Sequence, residues 1–138
     1  MEKELQLSYV MTEEERKDFF PETPLPRYYG IRFHTFHVVN REGKEIGQII
    51  AAVIKERERF SMACSFCSPR DQFNREFGRF IAYRRLMFSP RNRGSSVSFT
   101  SVPGVKVTTL IKHNCLVLAA HYPVRWVLRE VDSIDQLK

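Results

Sequence analysis

Between Ile31 and Phe66 the chain reads as three strand-like segments, two alternating and one apolar throughout, separated by two short charged breaks. A period of two commits a segment to the pleat of a β-strand, and breaks of only a few residues leave room for hairpins but not for crossovers. In residues 31–39, Ile31, Phe33, Thr35, His37 and Val39 point one way, and Arg32, His34, Phe36 and Val38 the other. The break at residues 40–44 is polar and carries Gly43, which can adopt the positive φ that a tight turn needs. Residues 46–54 are apolar on both faces, the pattern of a central strand. Residues 55–59 are all charged and mark a second turn. Phe60, Met62, Cys64 and Phe66 then share one face of a third strand. The spacing predicts an antiparallel meander.

A helix follows. Ser68 offers a capping hydroxyl, Pro69 needs no backbone donor at the first helical position, and Asp71 suits the positive helix end. At 100° per residue Phe73, Phe77, Phe80, Ile81 and Phe88 fall on one stripe, with Gly78 at its edge. Arg84 lies within the stripe and has to reach past the rings to water or pair with an acid. Arg75, Arg79, Ala82 and Leu86 lie opposite, so two guanidinium groups stand one turn apart on the expected outer face. Residues 97–102 and 105–111 flank Pro103-Gly104 and read as another hairpin. Residues 115–120 suit strand or helix equally. Pro123 ends that run, and the alternation of Val124, Trp126 and Leu128 with Arg125, Val127 and Arg129 reads as a last strand. The expected fold is α+β: an antiparallel sheet, made of the meander and a C-terminal hairpin, with one long amphipathic helix packed on a face.

The first residues read differently. Thr12 and Glu15 form a capping box for a short helix over residues 11–20, and Pro21, Pro24 and Pro26 then impose an extended connector. The expected organisation is an acidic N-terminal arm, residues 1–27, and a single α+β domain, residues 28–138. Residues 1–22 hold seven acidic side chains against three basic ones, −4, so of the overall +6 the remainder carries +10. A basic body suits an anionic partner, either nucleic acid or an acidic protein surface. No stretch of about 18 apolar residues occurs and the start lacks the apolar centre of a signal peptide, which predicts a cytoplasmic protein with no membrane partner.

No enzyme is indicated. Cys64-Ser65-Phe66-Cys67 has redox spacing, but alternation buries Cys64 in a strand, and three cysteines make no disulfide framework. A zinc site would have to draw on Cys115 with His113 or His121, at a spacing that fits no zinc pattern. His34 and His37 fall on opposite faces of one strand and cannot share a metal or a proton. Nucleophile-elbow, phosphate-loop and metalloprotease motifs are all missing, so neither catalytic residues nor cofactors nor metals are expected. Nucleic-acid binding would use the helix arginines, Arg91 and Arg93 in the loop after the helix, and Arg125 and Arg129, against phosphates. Most aromatic rings, however, sit at core-facing positions, unavailable for base stacking. A small nucleotide-type ligand held at the Ser68 helix end beside Arg70 is a third possibility.

Cys67, Ser68, Arg70, Asp71, Phe73, Arg75, Gly78, Arg79, Ile81, Ala82 and Arg85 match a pattern, C-S-x-K/R-D-x-F-x-R-x-x-G-R-x-I-A-x-x-R, that resembles one seen in small phage proteins. The match covers about a seventh of the chain and implies no activity. In size, charge and character the chain also resembles the kind of Thermus phage protein that binds host RNA polymerase. That resemblance implies a non-catalytic regulator that grips the polymerase β-flap and σ region 4 and inhibits or redirects host transcription. The expected function is therefore host takeover by binding a protein machine, with auxiliary nucleic-acid contact allowed. The alternatives are a basic nucleic-acid-binding module and a nucleotide-sequestering protein. The candidate contacts are Arg75, Arg79 and Leu86 on the helix, Arg91 and Arg93 in the loop, and Tyr28 and Tyr29 after the prolines; arginine and tyrosine are frequent interface anchors.

Overall fold

A computed structural model describes residues 30–68, 74–87 and 96–138. The expected N-terminal arm, Tyr28, Tyr29, Arg91 and Arg93 lie outside the described residues. The meander forms as expected. Strands β1 (Ile31–Val39), β2 (Glu45–Glu56) and β3 (Arg59–Cys67) pair antiparallel in sequence order, and a short β4 (Val97–Thr100) extends the sheet beside the first half of β3. The β1–β2 turn closes through Asn40, whose side-chain oxygen accepts the backbone N–H groups of Glu42 and Lys44 at 3.0 and 2.9 Å, while Gly43 supplies φ 83°. Central β2 is buried on both faces from Ile49 to Val53, which is why it reads as an apolar run.

The sheet is covered on both sides. On one face Phe36 and Val38, Ile49, Ala51 and Val53, and Met62, Cys64 and Phe66 make the larger core. Helix α2 (Val107–His121) closes it with Ile111, Cys115, Leu118 and Ala119, followed by Tyr122. On the other face Ile50 and Ala52, with Ile31 and Phe33, meet Ala82 and Leu86 of helix α1 (Arg75–Met87). Each large apolar side chain so buried contributes roughly 1.5–3 kcal/mol. No helix among the described residues is long and apolar enough to cross a membrane.

Three expectations are corrected. Helix α1 begins at Arg75 rather than at Ser68: the Asn74 side chain accepts the Phe77 backbone N–H at 2.9 Å, an N-cap one turn before the apolar stripe. Phe77, Phe80 and Ile81 are buried as the stripe requires, whereas Pro69, Asp71, Phe73 and Phe88 lie outside the described residues. The hairpin around Pro103-Gly104 is absent. Val105 N–H does bond the Val102 carbonyl at 3.0 Å, and Gly104 has φ 80°, but proline followed by a positive-φ glycine is a type II turn, whose twist splays paired strands. The turn instead feeds α2, where Ile111, Cys115, Leu118 and Tyr122 recur at helical spacing. Finally, residues 124–129 are not a strand. Val124 precedes helix α3 (Arg125–Glu130), and Val124, Val127 and Val131 at i, i+3 and i+7 face the core. Six residues are too few for alternation to outweigh that spacing.

Candidate functional site

The expected site on α1 does not assemble. Arg75 is exposed, but Arg79 is half-buried, its guanidinium 5.3 Å above the Phe33 ring, and its Nε is buried without an acceptor among the described residues. Leu86 packs on the sheet with fully buried Ala82, so the side taken as the outer face is a second packed face. The helix is buried over a wider arc than its phenylalanines alone suggest, because it has both the sheet face and the end of β3 to cover. Arg84, the arginine expected to conflict with burial, is half-buried; the fully buried one is Arg85. Its guanidinium donates to the Cys64 carbonyl at 2.8 Å and lies 3.8 Å from the centre of the Tyr122 ring. Strand β4 pairs with β3 only as far as Met62, so Arg85 supplies a donor to a carbonyl beyond the end of that pairing.

The histidine and cysteine expectations resolve into structure. His34 is half-buried and stacked near Phe36, and burial, helped by the positive charge of Arg32, pushes its pKa below the usual histidine value. His37 is exposed and pairs with Glu45 at 2.5 Å. Cys64, Cys67 and Cys115 are all buried thiols. The Cys64 and Cys115 sulfurs lie 3.6 Å apart, and desolvation together with that contact pushes the Cys115 thiol pKa well up. Cys115 therefore does meet another cysteine, but no group of three or more metal-ligating side chains occurs among the described residues.

A different set of polar side chains does converge. Asn40, Lys44, Glu45, Ile46, Ser68, Arg125, Trp126, Arg129 and Glu130 line an open cleft of about 560 Å³ between the β1–β2 turn and α3. The local backbone explains it. Val38 pairs with Gly47 and Val39 with Glu45, so Ile46 is an extra residue, a β-bulge that bends β2 at its start. The Trp126 ring lies directly against Gly47, where an added Cβ would come within 2.6 Å of the indole Cζ3 and 2.8 Å of the Cys67 carbonyl. Gln136 holds α3 in place, donating to the carbonyls of Val39 and Glu130 at 2.9 and 2.8 Å. Its side-chain oxygen accepts the Asp132 and Ser133 N–H groups, completing a capping box for the C-terminal 3₁₀ turn. Arg41 also reaches α3's exit, pairing with both oxygens of Asp132, which holds that carboxyl below its usual pKa.

On α3 itself Arg125 and Arg129 are exposed one turn apart, with Leu128 between them 52% exposed. Lys44 is exposed across the cleft. Two acids share the lining: Glu45, which is occupied by His37, and Glu130. The Trp126 Nε1 is buried without an acceptor among the described residues. Ser68, expected at a helix end, lines this cleft instead, the described helix α1 begins at Arg75, and Arg70 lies outside the described residues. A larger groove, about 750 Å³, at the β2–β3 turn is lined by Glu56, Arg57, Glu58 and Arg59, whose charges cancel. Arg125 and Arg129 were legible as basic residues, but a strand reading would put them on a face with Val127. Pro123 followed by the valine spacing was the signal for a helix that sets them apart. The chain matches no family model, no curated protein and no solved structure.

Proposed function

We propose that the chain is a phage-encoded, non-enzymatic regulator that binds a host protein machine, with RNA polymerase at its β-flap and σ region 4 as the target, and so inhibits or redirects host transcription. The observation that carries the reading is the pair of exposed arginines, Arg125 and Arg129, lining one cleft with Trp126 and Lys44, with exposed Leu128 on the same short helix. Arginine and tryptophan are the residue types that most often anchor protein interfaces, and an apolar centre with a charged rim is how such interfaces are built. Nucleic-acid binding through stacked bases is the less favoured reading, because Phe36, Phe66, Phe77 and Phe80 are buried and closed to a base. The test is recovery of partners from host lysate after nuclease treatment, followed by transcription assays with the recovered enzyme. Polymerase subunits retained by the protein, with altered promoter output, are the expected result. Polymerase missing from the eluate refutes the reading. Tight retention of duplex or single-stranded nucleic acid at moderate salt would move the function to the nucleic-acid alternative.

A further inference from the structure

We infer that the outer face of α3 docks an acidic amphipathic helix of the partner, one that presents two carboxylates one turn apart on either side of an apolar side chain. This rests on the protein-binding reading above and says which surface is used and what chemistry it selects. Arg125 and Arg129 are four residues apart on a helix, which puts their Cβ atoms about 6 Å from each other. That distance matches Glu or Asp at i and i+4 of a second helix, so each guanidinium meets one carboxylate with the bidentate geometry it favours. Leu128, three residues after Arg125, borders the pair on the helix surface and is 52% exposed. An isolated exposed leucine is ordinary; one beside two exposed arginines gives a partner helix an apolar contact along the flank of the cationic pair. Lys44 adds a third cation across the cleft, against the two lining acids Glu45, which bonds His37, and Glu130. Glu130, at the far end of α3, disfavours a third partner carboxylate beyond Arg129. The helix is seated by the packing of Val124 and Val127 and by the Gln136 bonds, so its outer face is rigid before a partner arrives.

Trp126 is the chain's single tryptophan and lines this cleft, so its fluorescence reports occupancy directly. The full chain is titrated with a helical peptide carrying Glu-x-x-Leu-Glu, with the same peptide bearing Lys for both Glu, and with a single-stranded oligonucleotide. The expected result is saturable binding of the acidic peptide, at least tenfold weaker binding of the basic one, and at least tenfold loss in the double variant Arg125→Glu/Arg129→Glu. That variant should instead bind the basic peptide. Both arginines are exposed, and circular dichroism verifies that the fold is kept. Equal binding of both peptides, no binding of either, or saturation by the oligonucleotide alone overturns the inference. In the lysate experiment, polymerase retained equally by the double variant overturns the docking face while leaving the function standing. Acidic-peptide binding by a protein that recovers no polymerase does the reverse.

Discussion

Gly47→Ala is the sharpest test of how the cleft is built. The bulge at Ile46 turns β2 so that the Gly47 α-carbon faces the Trp126 ring, and a methyl group there would come within 2.6 Å of indole Cζ3 and 2.8 Å of the Cys67 carbonyl oxygen. Carbon atoms pack comfortably at about 3.5–4.0 Å, so the ring would have to retreat by roughly 1 Å. The carbonyl belongs to the β2–β3 pairing, Gln48 opposite Cys67, and cannot retreat without loosening that ladder. Overpacking of a well-filled site costs about 1–3 kcal/mol, and a backbone obstacle places this variant at about 2–3. For a chain of this size that is a fall of about 5–15 °C in melting temperature. Urea unfolding followed by Trp126 emission reads the free-energy loss and the ring's displacement together, because the displaced indole changes its native spectrum as well as the midpoint, and a thermal melt gives the second number. In a Trp126→Phe background the outer ring atoms are gone, and the cost of Gly47→Ala, read by circular dichroism, should drop by at least about 0.5 kcal/mol. A Gly47→Ala protein within about 0.5 kcal/mol of the parent, with an unshifted emission maximum, refutes the account.

Four other outcomes follow from named features. Arg57 holds φ 58° in the β2–β3 turn, so Arg57→Gly should stabilise by up to about 1 kcal/mol and Arg57→Val should destabilise by at least that much in denaturant titration. Arg85→Met removes the donor to the Cys64 carbonyl and should cost about 2–4 kcal/mol, measured the same way. Because burial lowers the His34 pKa, the unfolded chain takes up the proton first; stability should fall as pH drops from about 6.5 toward the lower folded value, and His34→Gln should flatten that part of a pH–stability curve. With all three cysteines buried and the Cys115 thiol pKa raised, native protein should react with a thiol reagent at pH 8 only as fast as it opens, with the rate rising in step with denaturant.

The meander was legible because two alternating segments around an apolar run, bounded by polar turns, leave few alternatives. Even the sides were readable: Phe60, Met62, Cys64 and Phe66 share the larger core. The C-terminal third was not. Val107, Thr108 and Thr109 at the start of α2 carry strand-favouring side chains, and the spacing that identifies the helix begins only with Ile111. Tertiary packing against Met62, Cys64 and Phe66 then overrides local preference. The cleft beside α3 went unread for one reason. With α3 read as a strand, Arg125 and Arg129 share a face with a core valine and the Trp126 cleft does not exist. The buried arginine was likewise misassigned by one position, because the helix angle alone does not reveal that a neighbouring strand ends early.

That early ending has a consequence for behaviour at high concentration. Where β4 stops, β3 would offer bare backbone groups to another chain, the usual starting point for sheet-to-sheet association. Here one of those carbonyls is occupied by a guanidinium anchored over a tyrosine. The same arginine that secures α1 therefore acts as a stopper against self-templated growth, and weakening it should show first as turbidity on storage rather than as a change in the native spectrum.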